Sequence, residues 1–437
     1  MKKIIILSMI ISSLVYANEV KVEKYIVNPG DYKIVYSGEE REFLTGITPG
    51  YGSGLAFKDI SNNGSLEFYG ISDRGPNTDL PKYIKKGKEL KGKFFPTPKF
   101  NPSIALIKID RNGAIIKDKI DLKTQYGDKI SGRIIPENLV GAINEVGFNL
   151  DMSKINNDIY GLDTEGIAID KEGNFWICDE YGPFIMKVDR SGKILEKYSP
   201  KEGLPNILKY RVPNRGFEGI TVDENGDVFA IIQSPLDVEN ETKKTAKYTR
   251  IVKFNPNTKE STMYAYPVDN GYKDFSKAKI GDITSIGEGK FLVIEQGKQN
   301  DKMENRIYMI DINGASKIED NGDLEYGKVK DLKPVEKKLL IDLREYGWDL
   351  EKAEGITLLP DKKTVAIVND NDFGIETRIE DSEYSNSNFE DYTYNEDKRE
   401  FYYKDKVAKK TKARITQNSE KERDSQLWIF KFKDKIE

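Results

Sequence analysis

Four short apolar stretches open with an acid beside a glycine. They are Thr164-Glu165-Gly166-Ile167-Ala168-Ile169, Phe217-Glu218-Gly219-Ile220-Thr221-Val222, Gly281-Asp282-Ile283-Thr284-Ser285-Ile286 and Ala353-Glu354-Gly355-Ile356-Thr357-Leu358. A second apolar run follows each one and closes on polar residues: Asp179-Glu180, Gln233, Glu295 and Asp370-Asn371-Asp372, with Asp73-Arg74 closing an earlier run. If each pair of runs is an antiparallel hairpin, the start of its first strand lies beside the end of its second, and these groups share one rim. Carboxylates held a few ångströms apart stay ionised only when something positive compensates them, and a metal ion is the simplest compensation. The sequence contains no histidine, which excludes Ser-His-Asp and Cys-His catalysis and every imidazole-ligated metal. With oxygen donors alone the ion must be hard, Ca²⁺ first and Mg²⁺ or Mn²⁺ as alternatives.

The expected ligands are Glu165, Asp179, Glu218, Asp282, Glu295, Glu354 and Asp370. Arg74 and Arg215 adjoin them and can grip an anion by paired hydrogen bonds, so a phosphate ester bridging Ca²⁺ and arginine fits the pattern. In that chemistry the ion polarises the phosphoryl oxygen and lowers the pKa of a water. Glu180 or Asp372 accepts the proton, and the two arginines steady the developing charge. Three other readings stay open at this point. The same ion can serve hydrolysis of lactones or carboxylic esters. The protein can be a non-catalytic module for a cell-surface or periplasmic ligand. Or the carboxylates can merely accept backbone hydrogen bonds from the next repeat, with Ca²⁺ as a staple and the arginines as ion-pair partners.

The elements that must position these residues repeat along the chain. Glu165, Glu218, Asp282 and Glu354 are spaced by 53, 64 and 72 residues, and Gly52-Ser53-Gly54-Leu55-Ala56-Phe57 is a fifth copy with serine in place of the acid. Turn signals such as Asn62-Asn63-Gly64, Glu172-Gly173-Asn174 and Asn225-Gly226-Asp227 mark hairpins. Third and fourth strands follow, as in residues 185–189 and 194–198 around Arg190-Ser191-Gly192-Lys193. Four antiparallel strands per repeat predict an all-β fold, a β-propeller of five blades, or six if residues 123–160 hide another. The last repeat takes Leu427-Trp428-Ile429-Phe430 as its third strand, and the segment Tyr25 to Tyr36 is expected to supply the fourth and close the ring. The glycine beside each leading acid lets backbones crowd the axis.

Lys2 and Lys3, an apolar run from Ile4 to Leu14 and the exit Val15-Tyr16-Ala17 read as a signal peptide over residues 1–17, so the mature chain, 18–437, is expected to be one exported domain, periplasmic or secreted. No stretch is long enough for a membrane span, and Cys178 is the only cysteine. Removing two lysines from 69 basic residues against 73 acidic ones leaves a net charge of −6, which argues against nucleic acid as a partner. A small anionic substrate and a monomeric state are expected. Charged insertions near 82–99 and 376–424 read either as solvated loops or as covers over one face. Asp372-Phe373-Gly374 matches a kinase tripeptide without the rest of a kinase, and Cys178 beside Trp176 reads as packing.

Several of these stretches carry a family resemblance: Asp163-Thr164-Glu165-Gly166, Trp176 through Asp179-Glu180-Tyr181-Gly182-Pro183, Asn214-Arg215-Gly216-Phe217-Glu218-Gly219, Gln233-Ser234-Pro235-Leu236 and Asn369-Asp370-Asn371-Asp372-Phe373-Gly374. From about Tyr51 to Phe432 the chain resembles the phytase-like family, described as having the esterase-like activity of phytase. The resemblance implies a propeller fold distantly similar to calcium-dependent β-propeller phytases, and phosphate-ester hydrolysis by inheritance. Ser53 in place of a leading acid and the tract 376–424 depart from that pattern.

Overall fold

In the computed structural model, which describes residues 20–384 and 387–437, strands and short 3-10 turns carry the architecture, and the described residues contain no α-helix. The signal peptide expected over residues 1–17 lies outside the described residues. No helix is long and apolar enough to cross a membrane.

Strand pairing builds five successive four-stranded antiparallel units. The first joins Leu55–Ile60, Leu66–Ile71, Ser103–Asp110 and Gly113–Asp121. The second joins Thr164–Ile169, Phe175–Asp179, Phe184–Val188 and Ile194–Pro200, and the third Phe217–Val222, Val228–Ile232, Tyr248–Asn255 and Glu260–Pro267. The fourth runs Lys279–Gly287, Lys290–Gln299, Lys302–Asp311 and Glu336–Asp342. The fifth takes Gly355–Leu358, Thr364–Val368 and Gln426–Lys431 from the C-terminal part, and Lys21–Asn28 from the N-terminal part. The closing strand is therefore 21–28 and not 25–36. Pro29-Gly30, with Gly30 at φ 57°, turns the chain out of the ladder. Asn28 also pairs in parallel with Ile115, which merges the fifth and first units into one eight-stranded sheet.

The middle strands read as unbroken apolar runs because both faces are covered. In Phe175-Trp176-Ile177-Cys178, Phe175 and Ile177 join a core shared with the first unit, while Trp176 and Cys178 join one shared with the third. Five apolar clusters follow this rule, each shared by two successive units, and the last joins the fifth unit to the first. Cys178 is fully buried in one of them, as packing.

The first strands of the units also touch in a circle, from unit one through unit five and back. Glycine makes this possible. A Cβ on Gly54 would stand 2.7 Å from the Cα of Gly166, one on Gly219 2.6 Å from the amide of Ile283, and one on Gly355 3.0 Å from the carbonyl carbon of Gly54. An all-β chain of several sheets arranged this way fits a propeller.

The two charged insertions are not independent loops. Strand Tyr392–Asn395 pairs in parallel with Lys82–Lys85, and the sheet continues through Lys88–Phe94 to Glu145–Phe148. Residues 123–160, the region considered as a sixth repeat, give this sheet one strand and form no four-stranded unit. Alternation in Tyr392-Thr393-Tyr394 turns the tyrosines inward onto Tyr83, Phe94, Phe148 and Phe401, so the tract has a small core of its own. The result is a cap sheet beside the rim where first strands begin.

Because Gly219 has an ordinary negative φ, Gly219→Ala tests space alone. It is expected to lower unfolding free energy by about 1–3 kcal/mol, as overpacking does, read as a lower denaturant midpoint. An unchanged midpoint would mean that the inner strands do not close on one another.

Candidate functional site

The pairing registers decide which acids meet. In the second and third units the ladder skips one residue, from Thr164↔Asp179 to Gly166↔Cys178 and from Phe217↔Ile232 to Gly219↔Ile231. Glu165 and Glu218 are the bulged residues, aimed off the sheet into the mouth. In the fourth unit the skip runs from Ile280↔Glu295 to Asp282↔Ile294, so Gly281 occupies the bulge and Asp282 the position that is glycine elsewhere. The order of acid and glycine is reversed in Gly281-Asp282, and this moves the Asp282 carboxylate away from the cluster. The Asp282 carboxylate accepts the amides of Ile283 at 2.7 Å and Ile356 at 2.8 Å, fastening two inner strands. Glu295 accepts the Asp269 amide at 2.8 Å, the Tyr266 hydroxyl at 2.9 Å and Lys337 Nζ at 2.6 Å, at the seam of the third and fourth units. Asp179 is likewise spent on backbone, accepting the amides of Asp163 at 2.7 Å and Gly182 at 3.0 Å.

The structure does bring Glu165, Glu180, Glu218, Glu354 and Asp370 to one mouth, and adds Asp73 and Asp163 to them. Oxygens of Asp73, Asp163 and Glu165 lie within 4.8 Å of one another, and all three residues are buried. Asp163 Oδ2 has no hydrogen-bond donor, nor does Glu218 Oε2, although both atoms are buried. Arg74 Nε stands 3.7 Å from Asp163 Oδ2, too far for a hydrogen bond, so that oxygen is only partly compensated. Buried carboxylate oxygens without donors are costly, and an oxygen-only donor set fits a hard divalent cation. Asp73, Asp163 and Glu165 are the residues able to hold it, with Glu218 nearby.

Burial and like charge push these acids toward neutrality. Asp73, Glu165 and Glu218 rise well above the usual carboxylate range, first by burial and then by neighbouring acids: Asp370 and Asp163 for Asp73, Asp163 and Glu218 for Glu165, Glu180 and Glu354 for Glu218. Glu180 is pushed up to about 8, chiefly by burial and Asp163, and Glu354 to about 7, by burial in opposition to Lys352. Glu180 is held by two amides, Asn214 Nδ2 at 2.8 Å and Gln233 Nε2 at 2.9 Å.

Cations flank the acids. Arg74, 6% exposed, gives its amide to Asp163 Oδ1 at 3.1 Å and its guanidinium to Glu145 at 3.4 Å, Asn214 at 3.3 Å and Asn77 at 3.2 Å. These contacts place Arg74 as a support for the acids. Arg215 donates only to the Ser276 carbonyl and forms no ion pair among the described residues. Lys279 stands near enough to Glu180, Glu218 and Glu354 to pull their pKa values down. Lys352 binds Asp370 at 2.6 Å and Asp372 at 2.8 Å. That pairing holds Asp372 below the ordinary range although burial works the other way. Asp372 and Phe373 have φ of 46° and 56°, a strained backbone at about 1–3 kcal/mol each.

Sequence reasoning placed Asp73 on the rim without counting it as a ligand, and passed over Asp163, Lys279 and Lys352 as site residues. Their signal was positional: Asp163, Lys279 and Lys352 each stand two residues before Glu165, Gly281 and Glu354, and Asp73 occupies in its repeat the place of Glu180.

A family model described as "Phytase-like: Esterase-like activity of phytase" matches residues 49–373. An uncharacterized secreted protein of Arthroderma benhamiae is 29% identical, over 31% of this chain and 34% of its own, so the match spans about a third of that relative. Among solved structures, a virginiamycin B lyase from Staphylococcus aureus is 12% identical, covering 80% of this chain and 96% of that one, with a TM-score of 0.32. A gluconolactonase from Xanthomonas campestris is 8% identical, covering 74% and 94%, with a TM-score of 0.27. Likeness of this size decides neither fold nor chemistry.

The raised acids bind more protons folded than unfolded between about pH 4.5 and 8, so metal-free stability is expected to fall as pH rises through that window. Ca²⁺ needs the ionised forms, and at a hundred times its Kd it contributes about 2.7 kcal/mol. The rise in Tm on adding Ca²⁺ should therefore be larger at pH 8 than at pH 5 by calorimetry, and equal shifts would place the ion elsewhere.

Proposed function

The chain belongs to the phytase-like family, and from that premise and the geometry of the mouth we propose that it is an exported, calcium-dependent hydrolase of phosphate esters. In this reading residues 18–437 form one monomeric domain, a five-bladed propeller closed by strand 21–28, with the cap sheet built from its two insertions. The circle of inner strands and the five shared cores support five blades. The pattern of residues 1–17 and the secreted relative support export, to periplasm or beyond.

One observation carries the chemistry. The oxygen triad of Asp73, Asp163 and Glu165, with a buried carboxylate oxygen lacking any donor, shares a mouth with the cations Arg215 and Lys279. When bound there, a hard divalent cation supplies charge for phosphoryl oxygens and lowers the pKa of a water. Arg215 and Lys279 hold the remaining phosphoryl oxygens. Arg74, with its amide 3.1 Å from Asp163 Oδ1 and its Nε 3.7 Å from Oδ2, keeps Asp163 in place. The water oxygen adds to phosphorus as the ester P–O bond breaks, with the water proton passing to Glu180 and on to the departing alcohol oxygen. A carboxyl raised toward 8 is a stronger base than an ordinary one, and the Asn214 and Gln233 amides fix its orientation.

The test is turnover of p-nitrophenyl phosphate by the mature protein after chelation and again with Ca²⁺ restored, beside Asp163→Asn and Glu165→Gln. Activity should return with Ca²⁺ and drop at least about a hundredfold in either variant. Turnover only of uncharged esters or lactones would make it an esterase. No turnover, with Ca²⁺ raising only Tm, would make the ion a staple in a binding module.

A further inference from the structure

One side chain ties Glu180, the proton acceptor of the hydrolase reading, to the first unit. Arg74 Nη1 donates to Asn214 Oδ1 at 3.3 Å, and Asn214 Nδ2 donates to Glu180 Oε2 at 2.8 Å. A guanidinium can only donate, so the amide atom that faces it must be the oxygen, and the amide nitrogen is left to face the carboxylate. Arg74 therefore sets the direction of the Asn214 amide. Gln233, which gives the other oxygen of Glu180 an N–H at 2.9 Å, is under no such control, because its own carbonyl oxygen is buried without a donor.

Both ends of this link are fixed. The guanidinium lies over the rings of Tyr181 and Phe95, 5.7 and 5.8 Å from their centroids, and also donates to Asn77 and Glu145. At the far end the loop 214–216 is fastened to the main chain of Glu180. Gly216 gives its amide to the Glu180 carbonyl at 2.9 Å, and a Cβ on Gly216 would stand 2.6 Å from that carbonyl oxygen. Asn214 has a φ of 57°, in the left-handed region that asparagine tolerates and most other side chains do not. Such a backbone persists where its surroundings over-determine it, and here main chain and side chain both hold it against Glu180.

We propose that Arg74 acts on the proton acceptor Glu180 through Asn214, so that Arg74 and Asn214 are positioning residues working as one unit, with Asn214 meeting neither the cation nor the phosphoryl group. The proposal rests on the hydrolase reading above. The two duties of Arg74 are separable. It holds Asp163 chiefly by its main-chain amide, which any replacement of the side chain leaves in place, whereas the guanidinium holds Asn214. Without the guanidinium the Asn214 amide is free to turn its oxygen toward Glu180. Two acceptors would then face each other, and the carboxylate would leave the direction from which it takes the water proton.

The experiment is a double-mutant cycle on p-nitrophenyl phosphate turnover with Ca²⁺, comparing the full mature protein with Arg74→Gln, Asn214→Gly and the double variant, each checked by its melting curve. Glycine is used at 214 because it keeps the left-handed backbone. Each single variant should lower kcat at least about tenfold with KM within about twofold of wild type, and the double variant should fall no further than the weaker single one. Ca²⁺ binding by calorimetry should be kept in Asn214→Gly, which removes no ligand. Losses that multiply in the double variant would overturn the proposal, as would loss of Ca²⁺ binding in Asn214→Gly. A raised KM in Arg74→Gln with kcat intact would also overturn it, since the guanidinium would then be holding substrate. If Arg74→Gln does not fold, Arg74→Lys takes its place: a point charge cannot serve Asn77, Glu145 and Asn214 together, so the same non-additivity is expected. No turnover by the wild type would instead remove the hydrolase reading, and this proposal with it, before any variant is compared.

Discussion

The structure depends on backbone contact at its axis. Inner strands that meet with no side chain between them bring the residues beside the glycines into one small volume, and in three of the five units that residue is glutamate. Crowding of acids is thus a consequence of how the ring closes. Moving the glycine by one place, as Gly281-Asp282 does, removes the acid from the mouth and turns it into a backbone staple. The same change leaves the fourth unit as a gap in the acidic ring.

That gap shapes the electrostatics. Where the fourth unit lacks an acid it supplies Lys279 and Gln296, and where the fifth retains Glu354 it supplies Lys352 two residues earlier. The triad Asp73, Asp163 and Glu165 lies on the first and second units, and the cations Arg215 and Lys279, which form no ion pair among the described residues, lie on the third and fourth beside Glu218. A mouth divided in this way can take a cation and an anion side by side, whereas a uniformly acidic ring would favour the cation alone. Burial makes the division effective, because the same charges at an exposed surface would be screened.

Much of this was legible in the sequence. Acid–glycine–isoleucine repeats, hairpin turns and continuous apolar middle strands gave the units, and the N-terminal strand was expected to complete the last one. Register was not legible: nothing in Gly281-Asp282-Ile283 or in Glu295-Gln296 announces that the ladder skips at Gly281, and a slip of one residue exchanges the face on which a side chain stands. Pairs such as Arg74 with Asp163, 89 residues apart, were also out of reach, since only folding makes them neighbours.

The cap shows a different limit. Charge and tyrosine content in 376–424 describe a surface, yet Tyr392 and Tyr394 are buried against a strand from 82–85, about three hundred residues earlier in the chain. Neither insertion has enough apolar residues to fold alone, and each completes the other. Because both leave the four-stranded units near the mouth, their joint sheet must stand beside it, and the strained turn at Asp372 and Phe373 is where mouth and cap meet. Strain at that junction persists only if both sides hold it in place. Lys352 holds it from the mouth, and the packing of Phe373 with Phe100 holds it from the other side. A residue so constrained has a fixed direction, which a recognition group needs and a solvated loop would not give.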